Sequence, residues 1–202
     1  MPISLATQNA LDISASFVSA KDEKVLIVAP THHLAVGLLD RLQLTTGIPS
    51  ILVTPEESSP SAVFNIDEDP GFSLVWIQPV DKNQDIVFNY LDHPKLDQVI
   101  VLQASWLGRK LLPEWKAHTG HYPALNSTTW KRFRADQNWS YREIGFGNLS
   151  SLVWGFLAGR LIAMGWPDLA DHCNARMRRD LFPKRTGLAP TYLRIIHAVR
   201  KN

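Results

Sequence analysis

Arg176, Arg178 and Arg179 fall on one predicted helix, and Lys184 and Arg185 follow it closely. Arg176 and Arg179 are one helical turn apart and share a face. An arginine fork donates two parallel hydrogen bonds, which suits phosphate clamps and guanine edges. A second cluster, Trp130-Lys131-Arg132-Phe133-Arg134, interleaves aromatic rings with cations. That pattern suits stacking on single strands or contact with a phosphate backbone. Lys131, Arg132, Arg134, Arg176, Arg178, Arg179, Lys184 and Arg185 are therefore the candidate nucleic-acid-binding residues. The bland alternative is a solvated helix face or a salt-bridged contact with acidic residues elsewhere in the chain.

Other constellations are thinner. His32-His33 follows an apolar run and opens a helical pattern, where a site could sit or where two histidines could simply start a helix. His118 and His121 with Glu114 have spacings compatible with a metal, but no second cluster supports one, and no metal or cofactor is expected. The single cysteine, Cys173, excludes an internal disulfide framework and a multi-cysteine zinc site. Asn138-Trp139-Ser140 and Asn148-Leu149-Ser150 match the glycosylation pattern. Without a secretion signal at MPISLATQNALDISAS they carry no weight, and a cytoplasmic location is expected.

Net charge hides a division. The 202 residues sum to +2, yet residues 1–104 hold five Lys or Arg against 13 Asp or Glu, and residues 105–202 hold 16 against six. Six of the seven tryptophans lie in the second half. A basic, Trp-rich half is an electrostatic footprint for a polyanion, or an interface rich in the residues that anchor protein contacts. The halves could also attract each other.

The elements that would position these residues follow from hydropathy. Residues 3–20 read as a helix. Val25 to Ala29, Ile51 to Val53, Phe72 to Ile77 and Val99 to Leu102 are short apolar runs, the pattern of strands buried on both faces. Helical segments fall between them, clearest from His33 to Leu44. Such alternation predicts a parallel sheet with helices on both faces. Its functional edge lies beyond the carboxyl ends of the strands, at Ala29 to His32, Thr54, Gln78 and Gln103 to Ser105.

After Ser105 the pattern becomes helical. Leu107 to Ala117, Thr128 to Asp136, Leu149 to Met164, Pro167 to about Leu181 and Tyr192 to Val199 are predicted helices. Leu149 to Trp166 is apolar but carries Arg160, so a buried core or dimer helix is expected, not a membrane span. Two units follow: an α/β domain over 1–105, and a basic, mainly helical domain over 106–202. In the second, two helices joined at Gly165-Trp166-Pro167 would form a helix-turn-helix.

The stretch VLIVAPTHHLAVGLLDRL, with SLVWIQPVDKNQDIVFNYLDHPKLDQVIVLQAS, resembles the receiver domain of two-component response regulators. The resemblance covers about Lys24 to Ser105, and it implies a flavodoxin-like fold. The family's magnesium-binding acidic pair would fall on Ala29-Pro30, and its phosphoacceptor aspartate on Gln78. Neither can do that chemistry, so the resemblance implies a pseudo-receiver. THHLAVGLL is also similar to the phospho-histidine segment of mannose-type sugar phosphotransferase domains, over some fifteen residues, with His32 as the implied carrier.

These readings converge on a non-enzymatic, oligomeric transcription regulator: a pseudo-receiver joined to a DNA-binding helical module. The alternatives are an adaptor subunit that uses the basic half as a protein interface, a phospho-histidine transfer domain, and an enzyme with an unrecognised site at His32 and His33.

Overall fold

A computed structural model describes residues 4–18, 24–29, 32–45, 50–53, 71–78, 90–105, 108–109, 112, 115, 135–181, 184–185 and 191–201. In chain order the elements are α1 (Leu5–Phe17), β1 (Val25–Val28), α2 (His32–Thr45), β2 (Ser50–Val53), β3 (Phe72–Gln78) and β4 (Leu96–Ala104). Then come β5 (Trp139–Phe146), α3 (Leu149–Ala163), α4 (Pro167–Leu181), β6 (Lys184–Arg185) and β7 (Leu193–Arg200).

The seven strands form one sheet in the order β2-β1-β3-β4-β7-β5-β6. The first four are parallel, with Leu26 opposite Ile51 on one side and Leu74 on the other. Beyond β4 the sheet turns antiparallel: Val101 pairs with Ile196, and Ile144 pairs with Ile195. This is a mixed α/β fold, mostly parallel in its first half, as the alternation of strands and helices predicts. One sheet runs through both halves of the chain.

The pleat explains the burial. Alternate strand residues point to opposite faces. Val25, Ile27, Val75, Ile77, Ile100 and Leu102 join one apolar cluster under α1 and α2, with Leu11, Leu34, Leu38 and Leu42. Leu26, Val28, Leu74, Trp76, Val99 and Val101 join the other, with Tyr90 and Leu91. All four residues of β1 are buried, so the run must be apolar throughout. Ser4 caps α1 by accepting from the Thr7 N–H, and Arg41 of α2 pairs with Asp12 of α1.

Two expectations change. A receiver domain has its fifth strand parallel beside the fourth, whereas here the neighbour of β4 is the antiparallel C-terminal strand β7. The receiver resemblance of 24–105, and its flavodoxin-like fold, therefore fail at the level of topology. The second half is not helical throughout either, because beside α3 and α4 it supplies β5, β6 and β7. The predicted helix from Tyr192 to Val199 is strand β7. Its β-branched Ile195, Ile196 and Val199 fit a pleated surface, and Leu193, Ile195 and Ile196 are buried between β4 and β5.

Candidate functional site at the carboxyl edge of the sheet

The chain leaves β1 through α2 to reach β2 on one side, and later places β3 on the other side of β1. That reversal is a topological switch point, which opens a crevice outside the carboxyl ends of β1 and β3. Helix α2 begins at His32, close after the end of β1 at Val28. Its first N–H groups have no partner within the helix, and its dipole favours negative charge there. His33 is exposed in that first turn.

At the neighbouring carboxyl end, β4 finishes at Ala104. Ser105 is anchored by its N–H, which donates to the Tyr192 carbonyl at 2.7 Å. Its side chain then starts a helical turn: Oγ accepts from the Gly108 N–H at 3.1 Å, and its carbonyl accepts from the Arg109 N–H at 2.9 Å. Arg109, partly exposed, thus stands one turn beyond the end of β4. Reading of the sequence missed Arg109. Its only signal is position, four residues after a hydroxyl residue at a strand end. Among the described residues, His33 in the first turn of α2 and Arg109 one turn after β4 are basic side chains whose backbones follow the carboxyl ends of strands.

Of the basic residues chosen from sequence, the described ones lie elsewhere. Arg176, Arg178 and Arg179 are exposed on α4. Arg176 lies over the Trp154 ring at 5.7 Å, and Arg179 is 3.7 Å from the Asp180 carboxylate. Exposed Asp168 and Asp171 precede them on the same helix, so α4 is mixed in sign along its length. Lys184 and Arg185 are β6, paired with Gly145 and Ile144 of β5. Lys131, Arg132 and Arg134 lie outside the described residues, as do Glu114, His118 and His121. Among the described residues no group of three His, Cys, Asp or Glu could hold a metal, and no helix is long and apolar enough to cross a membrane. Cys173 is a buried free thiol. Asn148 is a helix cap: its Oδ1 accepts from the Ser151 N–H at 2.8 Å, and the Ser151 hydroxyl accepts from the Asn148 N–H at 3.0 Å.

The supposed helix-turn-helix has the wrong geometry. Ser150 bonds Asp180, Trp154 meets Arg176, and Gly155 faces Met177. These contacts pair ascending residues of α3 with descending residues of α4, as in an antiparallel hairpin. Helices of a helix-turn-helix cross at about 90–120° and cannot keep such contacts over several turns.

No family model matches the chain, and no curated protein does. Solved structures do. The chain is similar to a 23S rRNA methyltransferase, ErmE (15% identity over 96% of this chain and 68% of that one, TM-score 0.37). It is similar to a cyclopropane-fatty-acyl-phospholipid synthase-like protein from Lactobacillus casei (13%, 97% and 91%, TM-score 0.42). A third similarity is to a Haemonchus contortus phosphoethanolamine N-methyltransferase solved with S-adenosylhomocysteine (10%, 72% and 33%, TM-score 0.40).

None of these three proteins is a receiver domain or a transcription regulator. The antiparallel neighbour of β4 overturns the reading of a pseudo-receiver fused to a DNA-binding transcription regulator. The adaptor, phospho-histidine and non-enzymatic expectations are not carried further, since the similarities are to proteins named as methyltransferases and a synthase-like protein.

Proposed function

We propose that the chain is an α/β enzyme whose ligand lies in the crevice beyond β1 and β3, held by its anionic group. The observation that carries this reading is the reversal of strand order at β1, with the N-terminus of α2 opening there. The helix terminus and Arg109 supply positive potential for a carboxylate or phosphate. His33, exposed in the first turn of α2, is the imidazole of the site. The reaction class that fits is proton transfer to or from a small organic anion, with Arg109 as the anchor and His33 as acid or base.

The test is thermal stability and calorimetry of the full chain against a panel: inorganic phosphate, ATP, NAD, S-adenosylhomocysteine and small carboxylates. Binding by at least one phosphate or carboxylate ligand is expected, weakened about tenfold or more in Arg109→Met, the loss of one charge-assisted hydrogen bond. His33→Ala should leave that affinity nearly unchanged. Tight binding of S-adenosylhomocysteine, indifferent to Arg109→Met, would overturn the assignment.

A further inference from the structure

Helix α3 is apolar nearly all round, yet it buries one side only. A helix of that composition is normally enclosed. Ser151 and Ala158 are buried, while Leu149, Val153 and Phe156 are exposed at 60%, 48% and 67%. These three, with Arg160, are spaced by four, three and four residues, the spacing of a coiled-coil seam. Leu157 flanks the seam, and Gly159 beside it has open space where a Cβ would be. Four more large apolar side chains, from Ile162 to Leu169, are exposed around the turn into α4. Every large exposed hydrophobic residue among those described lies on this one hairpin.

We propose that a second copy of this chain covers the hairpin, its α3 packed antiparallel along the same seam. Three observations select that occupant. First, a spacing of four, three and four reads the same in both directions. An antiparallel two-fold therefore sets Val153 against the partner's Phe156 and Leu149 against the partner's Arg160, as an isologous interface requires. Second, the charges match. Arg160 is the single charged residue of α3, and the two-fold carries it to the Leu149 end of the partner, where the Asp180 carboxylate, bonded by Ser150 and 3.7 Å from Arg179, adds negative charge. Third, the seam and its flank, Leu149, Val153, Phe156 and Leu157, form one exposed apolar strip along α3 that a second α3 matches in length and character.

Sedimentation of the full chain tests this, with circular dichroism as a check that each variant folds. The wild type should be dimeric at micromolar concentration. Phe156→Glu should weaken association about thirtyfold or more, as loss of a central aromatic anchor does. Leu149→Lys, an independent exposed position, should weaken it in the same direction. Arg160→Glu should weaken it too, and combining that change with Asp180→Arg should restore much of the loss. A wild type that stays monomeric, or a dimer indifferent to Phe156→Glu, would overturn the proposal. So would a monomer that co-sediments with phosphatidylcholine–phosphatidylglycerol vesicles through Phe156, which would assign the face to lipid. A monomer that binds duplex DNA with steep salt dependence, lost when Arg178 and Arg179 become Gln, would assign the hairpin to a polyanion.

Discussion

The indole N–H of Trp115 donates to Thr7 Oγ1 at 2.9 Å, joining residues 108 positions apart. Both side chains are fully buried, and Ser4 Oγ also donates to that hydroxyl, at 3.1 Å. The hydroxyl is thus the point where α1 receives a segment following β4. Thr7→Val keeps the volume and removes the acceptor. It should cost about 1–3 kcal/mol, the penalty for a buried donor left without a partner. Thr7→Ser keeps the oxygen and should cost less than Thr7→Val. Urea unfolding followed by tryptophan fluorescence gives both values. Equal losses would mean that packing, not the hydrogen bond, matters there.

Tyr192 ties the α3–α4 hairpin to the sheet. Its hydroxyl lies 2.9 Å from Ser151 Oγ and donates to the Asn148 carbonyl. Burial pushes the phenol above its ordinary range, so it stays a donor at neutral pH. Its ring closes over Gly147, which has φ +69 and no room for a Cβ, since one would meet the ring at 2.2 Å. Gly147→Ala combines backbone strain with a steric clash. It should destabilise by about 2–4 kcal/mol. Tyr192→Phe should cost about 1–2 kcal/mol by losing the hydroxyl alone. Thermal unfolding ranks the two, and a milder Gly147→Ala would contradict the argument.

The same residue fixes the candidate site from its backbone side. A Cβ on Gly108 would lie 2.2 Å from the Tyr192 carbonyl oxygen, a backbone atom that cannot turn away. Gly108→Ala must therefore push the turn carrying Arg109 off the end of β4. The expected result is a loss of about 2 kcal/mol or more in stability, with weakened anion binding. Calorimetry at a temperature where the variant is folded separates the two effects. Unchanged affinity in a folded variant would mean that Arg109 does not need this anchor.

How far these relationships show in the sequence depends on whether one strand or several must be known. Val25 to Val28 and Val99 to Leu102 are legible because a strand buried on both faces must be apolar at every position. Helices α1 to α4 are legible from spacing and punctuation, with Pro167 opening α4. β7 is not. Leu193-Arg-Ile-Ile-His-Ala-Val-Arg200 is too short to separate a helical from a strand period, and only β4 and β5 beside it decide the matter. The carboxyl edge is legible as a place, since strand ends can be read. Arg109 is not, because its place depends on the turn that Ser105 starts and on the close approach of Gly108 to Tyr192, just before β7. The basic residues of α4 drew attention by composition, which reports charge without saying what shares the face.

His197 sits where β7 crosses the amino-terminal part of β4, and its Nε2 lies 2.9 Å from Gln98 Oε1. Gln98 Nε2 already donates to Ser73 Oγ at 2.9 Å, so the amide offers His197 an acceptor and the imidazole carries its proton on Nε2. Phe17 stacks on the ring at 4.4 Å, and Arg142 is its cross-strand neighbour on β5. Burial, with the Arg142 charge second, pushes His197 down to about 4. The folded state thus favours the neutral ring, while the unfolded chain titrates near 6.5. Its contribution is fully present above pH ~6.5 and is lost as pH falls from there through about 4. The side chain is partly exposed, so solvent screening limits the effect to about 2 kcal/mol at most. His197→Gln keeps a donor for Gln98 and removes the titration. Urea unfolding at pH 7.5, 5.5 and 4.5 should show the wild type losing stability faster than this variant as the solution is acidified. Parallel curves for the two proteins would mean that the imidazole takes up its proton equally well folded and unfolded, and the buried network would then be no barrier to its charge.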